Sequence, residues 1–249
     1  CSSDLVGARP IAVATDHEGP TVASLRRALA RKPVVFIYEP RSSSHFGVSL
    51  SAARRDSLAA VLDEAGVLTI EDDGVGDIAE ARYQGLGQVL PEQTILVRSY
   101  SKTHGPDLRV AVIGGQAHLI KGANDMLQFG SGWTSRILQN ALAYLLRDPA
   151  AQQAVNHARA TYTQRRQQLV GLLEERGVLV RTHDGLSVSV PVRSEQQALL
   201  VLASHGIAAL GASSGTLESE AQAVRLPVGT AFDEPERIAS IYASAAKAS

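Results

Sequence analysis

Short apolar runs alternate along the chain with segments of helical spacing. "RPIAVAT" (9–15), "VVFIYEP" (34–40), "GVLTIEDD" (66–73), "TILVRS" (94–99) and "RVAVIGG" (109–115) read as strands. Their near-continuous hydrophobicity predicts a mainly parallel sheet covered on both faces. Between them, "TVASLRRALARK" (21–32) and "SAARRDSLAAVLDEAG" (51–66) show helical spacing, with Ser51 as N-cap and Gly66 as helix end. After residue 130 the pattern changes. A helix is predicted over 133–147, a break at Pro149, and a long Arg- and Gln-rich helix over 150–176. The strand "LSVSVPV" (186–192), the helix 194–206, the strand "AVRLPVG" (223–229) and a helix from Glu234 follow. This is the signature of an α/β protein. It divides into a larger sheet domain (1–130), a linking helical region (131–149) and a smaller C-terminal α/β domain (150–249).

Composition narrows the function classes. A net charge of −1 over 249 residues gives no sign of a nucleic-acid surface, so no nucleic-acid partner is expected through this chain, and any DNA contact is expected to lie in a missing N-terminal domain. Cys1 is the single cysteine, which excludes an intrachain disulfide framework, and the seven histidines are scattered rather than paired as metal ligands. No apolar run approaches the ~20 residues of a bilayer span and no signal peptide is visible, so no membrane partner and a cytoplasmic location are expected. The chain opens at Cys1 without an initiator methionine, and it is expected to be part of a longer protein.

In open α/β sheets, ligands bind beyond the carboxyl ends of the strands. Asp72 and Asp73 close one strand, and Lys102 follows another in "TILVRSYSKTHGPDLR", with Ser99, Ser101 and Arg109 around it. A lysine can link covalently to a carbonyl carbon, a carboxylate can hold a pyridine nitrogen protonated, and hydroxyls with a guanidinium suit a phosphate monoester. Together these match the needs of pyridoxal 5′-phosphate (PLP). The same residues also admit ordinary readings: a solvated loop lysine, helix-capping aspartates, turn serines and a surface ion pair.

The motif "SYSKTHGPDLR" resembles the Ser-x-Ser-Lys-x-x-x-Pro-x-x-Arg signature of fold-type I PLP enzymes, the aspartate aminotransferase superfamily. "IEDDGVGDI" resembles its acidic strand end, and "EPRSSSHFGVSLSAARRDSLAAVLDEAG" its Pro-x-x-x-Asn-Pro-Thr-Gly segment and following helix. "HDGLSVSVPV" and "AVRLPVG" resemble two small-domain strands, and the nearest flavour is the aminotransferase-like domain of MocR-type regulators in the GntR group. The resemblance implies an aspartate-aminotransferase-like fold and PLP as cofactor. It implies Lys102 as the Schiff-base residue, Asp72 rather than Asp73 at the pyridine nitrogen, and Ser99, Ser101 and Arg109 at the phosphate. Arg225 would hold the carboxylate of an amino-acid or 2-oxo-acid ligand, and a homodimer is implied.

Three departures from the family pattern stand out. The asparagine that donates to the cofactor's phenolic oxygen falls on Ser44, with His45 and Phe46 at the Pro-Thr positions. The tyrosine that donates to the same oxygen falls on Gly74 or Val75. The family's glycine-rich phosphate loop and stacking aromatic belong to sequence upstream of these motifs, so part of the cofactor site is expected outside this chain. Three functions compete: transamination between an amino acid and a 2-oxo acid, which is placed first, effector sensing by a PLP-containing regulator domain as the alternative, and a cofactor-free remnant serving as a dimer partner. Four further residues receive ordinary readings. Trp133 is expected to pack at a loop-to-helix junction, His104 to be a satisfied loop histidine, and Arg165–Arg166 to lie on a solvated helix face, while Tyr83 has no assigned place.

Overall fold

The structure, a computed structural model, describes residues 7–43, 46–130, 132–180, 182, 184–215, 217 and 222–248. Two short strands, β1 (Thr15–Asp16) and β2 (Gly19–Pro20), form a small antiparallel hairpin. The main sheet has the order β3 (Val35–Tyr38), β4 (Leu68–Asp73), β5 (Thr94–Ser99), β6 (Ala111–Gly114). β3, β4 and β5 run parallel, and β6 returns antiparallel to β5. A second sheet, with order β7 (Ser187–Pro191), β9 (Ala223–Pro227), β8 (Leu210–Gly211), is antiparallel throughout.

Helices α1 (Val22–Leu29) and α2 (Ala52–Ala65) cover one face of the main sheet. Ser51 accepts from the Arg54 amide, and Gly66 ends α2 in the left-handed region at φ 60°, as the sequence predicts. Leu58, Val61 and Leu62 of α2 meet Leu25, Phe36 and Leu86 in one core. The second lobe has its own core, where Leu169 and Leu173 meet Val188, Leu202, Leu226 and Tyr242. The remaining helices are α3 (Ala117–Gln128), α4 (Arg136–Leu145), α5 (Pro149–Glu175), α6 (Glu195–Ser204) and α7 (Pro235–Lys247). α5 serves both lobes. Its last turns enter the second core, while Val155, Ala158 and Tyr162 pack on Val75, Ile78 and Ala79 beyond the end of β4.

Several expectations change. Residues 9–14 form no strand: among the described residues only Thr15–Asp16 pairs, and an extended run without a ladder partner is not a strand. The main sheet is not covered on both faces within the described residues. Ile37 is 61% exposed and all four residues of β6 are exposed, because α1 and α2 layer one face only. α3, which was not anticipated, buries none of its residues. Trp133 is 74% exposed and does not pack as expected. Arg166 is no solvated helix residue. It is 3% exposed, because its aliphatic stem and guanidinium are drawn into the junction between the lobes.

That junction is polar and closely built. The Asp184 carboxylate accepts from Ser42 Oγ at 2.5 Å, from the Glu80 and Ala81 amides at 3.1 and 3.0 Å, and from the Gly185 amide at 2.7 Å. Arg166 pairs with Glu80, donates to the Gly185 carbonyl at 3.0 Å and lies 3.9 Å from Asp184. The backbone comes close as well: a Cβ on Gly47 would lie 2.2 Å from the Asp184 carbonyl oxygen, and Gly47 has φ 61°. Gly47→Ala is therefore expected to destabilise strongly. The left-handed conformation alone costs about 1–2 kcal/mol, and the backbone collision adds to that. A urea unfolding series checks this; a loss below ~1 kcal/mol would show that the junction yields easily.

Candidate functional site

β4 ends in three consecutive carboxylates, Glu71, Asp72 and Asp73. Strand alternation sends the first and third to the covered face and the second to the open one. Glu71 and Asp73 are fully buried, and each is satisfied. Tyr38 and Tyr83 both donate their hydroxyls to Glu71, and the Gly87 amide approaches it at 3.3 Å. Burial, reinforced by the Glu71 charge, pushes both phenols well above the ordinary tyrosine range. Asp73 receives a two-pronged bond from Arg41, Nε to Oδ1 at 2.9 Å and Nη2 to Oδ2 at 2.8 Å. Tyr83 thus has a defined place, and it lies on the covered face, away from Asp72.

Asp72 stands on the open face. Partial burial raises its pKa from 3.8, the nearby Glu39 charge adds to the rise, Lys102 opposes it and Asp73 adds again. Glu39 directly follows Tyr38, whose register partner is Glu71, so Glu39 lies beside Asp72 one strand over. Sequence reading missed Glu39; the signal that could have found it is its place one residue beyond a strand end.

Lys102 is exposed in the turn that follows β5. A Cβ on Gly74 would lie 3.5 Å from Asp72 Oδ1 and 3.7 Å from Lys102 Nζ. The acid and the amine thus both come within van der Waals reach of one point beside Gly74. Ser99 closes β5, and the Ser101 amide donates to Ser99 Oγ at 3.4 Å. The loop then folds back: the Tyr100 amide donates to the Val110 carbonyl at 3.1 Å, and Ser99 pairs in register with Ala111. Arg109 is thereby returned to the serines, held in the left-handed region at φ 47°, a conformation that costs about 1–2 kcal/mol outside glycine. Strain of this kind concentrates at ligand clamps. His104 is satisfied, as expected: its Nδ1 lies 2.7 Å from Thr103 Oγ1, its ring meets Tyr100 edge-on, and burial lowers its pKa.

Arg225 lies on the central strand of the second sheet, opposite Ser189 and Leu210. Tyr242 Oη holds its carbonyl at 3.1 Å. Ser44 lies outside the described residues, as does His45. Two concavities occur elsewhere. A groove of about 510 Å3 runs between Glu80 and Arg159, Thr163 and Gln167 of α5, and a hollow of about 240 Å3 sits at Gly47, Ala81 and Asp184. Neither is lined by Asp72 or Lys102. Among the described residues no cluster of histidine, cysteine or acidic side chains could hold a metal ion, and no helix is long and apolar enough to cross a membrane.

The residues present fit PLP. An acid and a primary amine approach one point beside Gly74, and the loop returns the backbone of Arg109 toward the strand end that carries Ser99 and Ser101. The two aspartates are expected to part company on substitution. Asp73→Asn leaves a buried guanidinium poorly paired and is expected to cost about 3–5 kcal/mol. Asp72→Asn removes a desolvated charge with acidic neighbours and is expected to stabilise the unliganded chain slightly. Because the folded pKa of Asp72 lies above 3.8, the ionised wild-type chain loses stability as pH rises through that raised value. The Tm advantage of Asp72→Asn should be absent below pH 3.8 and grow toward neutrality; calorimetry across that range checks it, and an advantage at every pH would refute the electrostatic cause.

Known proteins share this architecture. Thermus thermophilus aspartate aminotransferase solved with maleate superposes with a TM-score of 0.88 at 20% identity, over 97% of this chain and 65% of that one. The aromatic aminotransferase from Pyrococcus horikoshii gives 0.88 at 20% identity, over 96% and 68%. At this level of identity the likeness speaks for the fold, which is aspartate-aminotransferase-like. Among curated proteins, the vitamin B6 salvage pathway transcriptional repressor PtsJ of Salmonella typhimurium is 31% identical over 187 residues, 75% of this chain and 44% of that protein. The uncharacterized HTH-type transcriptional regulator YcxD of Bacillus subtilis is 29% identical over 110 residues, 43% and 25%. The chain thus spans less than half the length of either curated relative. The family profile described as aminotransferase class I and II matches residues 5–237, nearly the whole chain. With its fold, the resemblance of its motifs and this match in agreement, the chain belongs to the class I and II aminotransferase family.

Proposed function

We propose that the chain binds PLP at the Asp72–Lys102 space and serves as the effector-sensing domain of a MocR/GntR-type transcriptional regulator. The observation that carries the cofactor assignment is the approach of Asp72 Oδ1 and Lys102 Nζ to one point beside Gly74. PLP supplies an aldehyde carbon and an electron-accepting pyridine ring. Lys102 would hold the aldehyde carbon, Asp72 the pyridine N–H, and Ser99, Ser101 and Arg109 the phosphate; Ser44 would stand at the phenolic oxygen in place of the family's asparagine. Two features favour sensing. Gly74 and Val75 carry no donor where the family has a tyrosine, and the two curated relatives described above are named as transcriptional regulators.

Arg225 favours a second reading, transamination between an amino acid and a 2-oxo acid. A guanidinium matches a substrate carboxylate, and Lys102 Nζ, exposed to solvent, could take up and return the proton at the substrate's α-carbon. In either reading the division at residues 130 and 150 separates a cofactor-holding lobe from a ligand-holding one; the separate apolar core of each lobe supports it, and a third cluster, at Val75, Ile78 and Ala79, joins the lobes through α5. A homodimer and a cytoplasmic location complete the proposal.

Titration of the chain with PLP is expected to produce a saturable visible absorption band, absent in Lys102→Ala. Added amino acids would then perturb the band without turnover in a sensor, and convert 2-oxo acids in an enzyme. No band in the wild-type chain would sink the assignment. Gly74→Leu is expected to weaken PLP binding at least ~10-fold by crowding the point that Asp72 Oδ1 and Lys102 Nζ both approach, with little effect on the melting temperature, because position 74 is not left-handed. Undiminished affinity in that variant would show that the cofactor does not enter there.

A further inference from the structure

Behind the candidate site, on the covered side of the sheet, four charged side chains close into a ring. Arg41 grips both oxygens of Asp73, as described. Arg98 Nη1 lies 3.4 Å from Asp73 Oδ2, and its Nη2 lies 2.5 Å from Asp77 Oδ1. Asp77 in turn lies 4.0 Å from Arg41 Nη2. The ring is electrically balanced, two guanidinium groups against two carboxylates. Asp73 is fully buried and Arg41 7% exposed, and Asp73 Oδ1 also receives the Gly76 amide at 3.3 Å. The Arg41 guanidinium sits 5.7 Å from the Tyr83 ring centroid, which joins the ring of charges to the Tyr38–Glu71–Tyr83 bonds.

Two members adjoin a residue of the candidate site, and the other two lie three residues from one. Asp73 follows Asp72. Arg98 precedes Ser99 and is the register partner of Asp73, so this ion pair crosses directly from β4 to β5. Arg41 precedes the serine run 42–44, and Asp77 lies in the turn that follows Gly74. A buried ion pair of this kind contributes little to stability beyond what packed apolar side chains would give. What it supplies is direction. A guanidinium fork meets a carboxylate in one plane and at two points, which a single ammonium cannot do.

We infer that Arg41 and Arg98 are positioning residues: through Asp73 and Asp77 they hold the ends of β4 and β5 at the separation that sets Asp72 opposite Lys102. The inference rests on the PLP reading for its purpose, but the geometry it concerns exists in the unliganded chain and can be measured there. Arg41→Lys and Arg98→Lys keep the charge and should stay folded; melting curves check that.

Two readouts test the idea. The first is the coupling between Asp72 and Lys102 without cofactor, taken as the shift that Lys102→Met causes in the 13C titration midpoint of the Asp72 carboxyl. In the Arg41→Lys and Arg98→Lys backgrounds this shift is expected to fall to half or less. The second is PLP affinity by visible absorption, expected to weaken at least ~10-fold in both variants. An unchanged coupling in folded variants overturns the inference, whatever the cofactor does. A reduced coupling in a chain whose wild type gives no Lys102-dependent band upholds the positioning role and removes the PLP reading instead.

Discussion

Three acids in a row end β4, and a strand cannot present consecutive side chains to the same side. Much of the site follows from that constraint. Glu71 and Asp73 must enter the covered face, where an uncompensated carboxylate would be very costly. The two are compensated differently, Glu71 by two phenols and Asp73 by two guanidiniums. Because both inward acids are engaged, β4 has no alternative register that would leave them satisfied. A shift of one residue would drive Asp72 into the core and expose both of its neighbours. The outward placement of Asp72 is therefore fixed by what its neighbours need, and a ligand is not required to hold it there.

The same reasoning explains what could be read from the sequence. Helix α2 was legible down to its caps, because Ser51 and Gly66 are local signals and capping is a local interaction. β5 was legible for a similar reason: its apolar run ends where its hydroxyl residues begin. The family resemblance favours Asp72 over Asp73, and alternation along the run of acids sets the two on opposite faces of the sheet. Arg166 was not legible. Its neighbours on α5 are Arg165, Gln167 and Gln168, so the sequence pattern describes a wet face. Its burial depends on Glu80 and Asp184, which lie far away along the chain and come near only in the folded protein. Arg41 was invisible for the same reason. Long-range polar pairs leave no periodicity, and residues such as Tyr83 that complete them look ordinary until the partner is known. The strand expected over 9–15 failed differently: apolar content was read as pairing, but pairing needs a neighbour, and in the described residues that segment has one only at Thr15–Asp16.

The two lobes meet through groups that also touch the edges of the site. Asp184 of the second lobe holds Ser42, one residue past Arg41, together with the amides of Glu80 and Ala81. Ser42 is itself held at φ 46°, and its amide donates to Ser49 Oγ at 2.9 Å, so Ser42 and Ser49 are tied to one another. Arg225 belongs to the second lobe, whereas Lys102 and Asp72 belong to the first. A movement of the second lobe relative to the first must therefore either break the Asp184 contacts or carry the 41–49 segment along with it. The segment is tied on its other side to Asp73 through Arg41, and Asp73 is the neighbour of Asp72. Few of these links are apolar, so they are directional and give way over short distances, unlike a greasy interface that can slide. In a domain that reports on a bound ligand, such a chain of short polar links gives the position of the second lobe a physical route to the acid at the candidate site. In an enzyme, the same links would hold the carboxylate-binding arginine in a fixed relation to the amine. Either proposed function would draw on the same feature, two lobes joined by polar bonds that end beside the acid and by the apolar packing of α5 on Val75, Ile78 and Ala79.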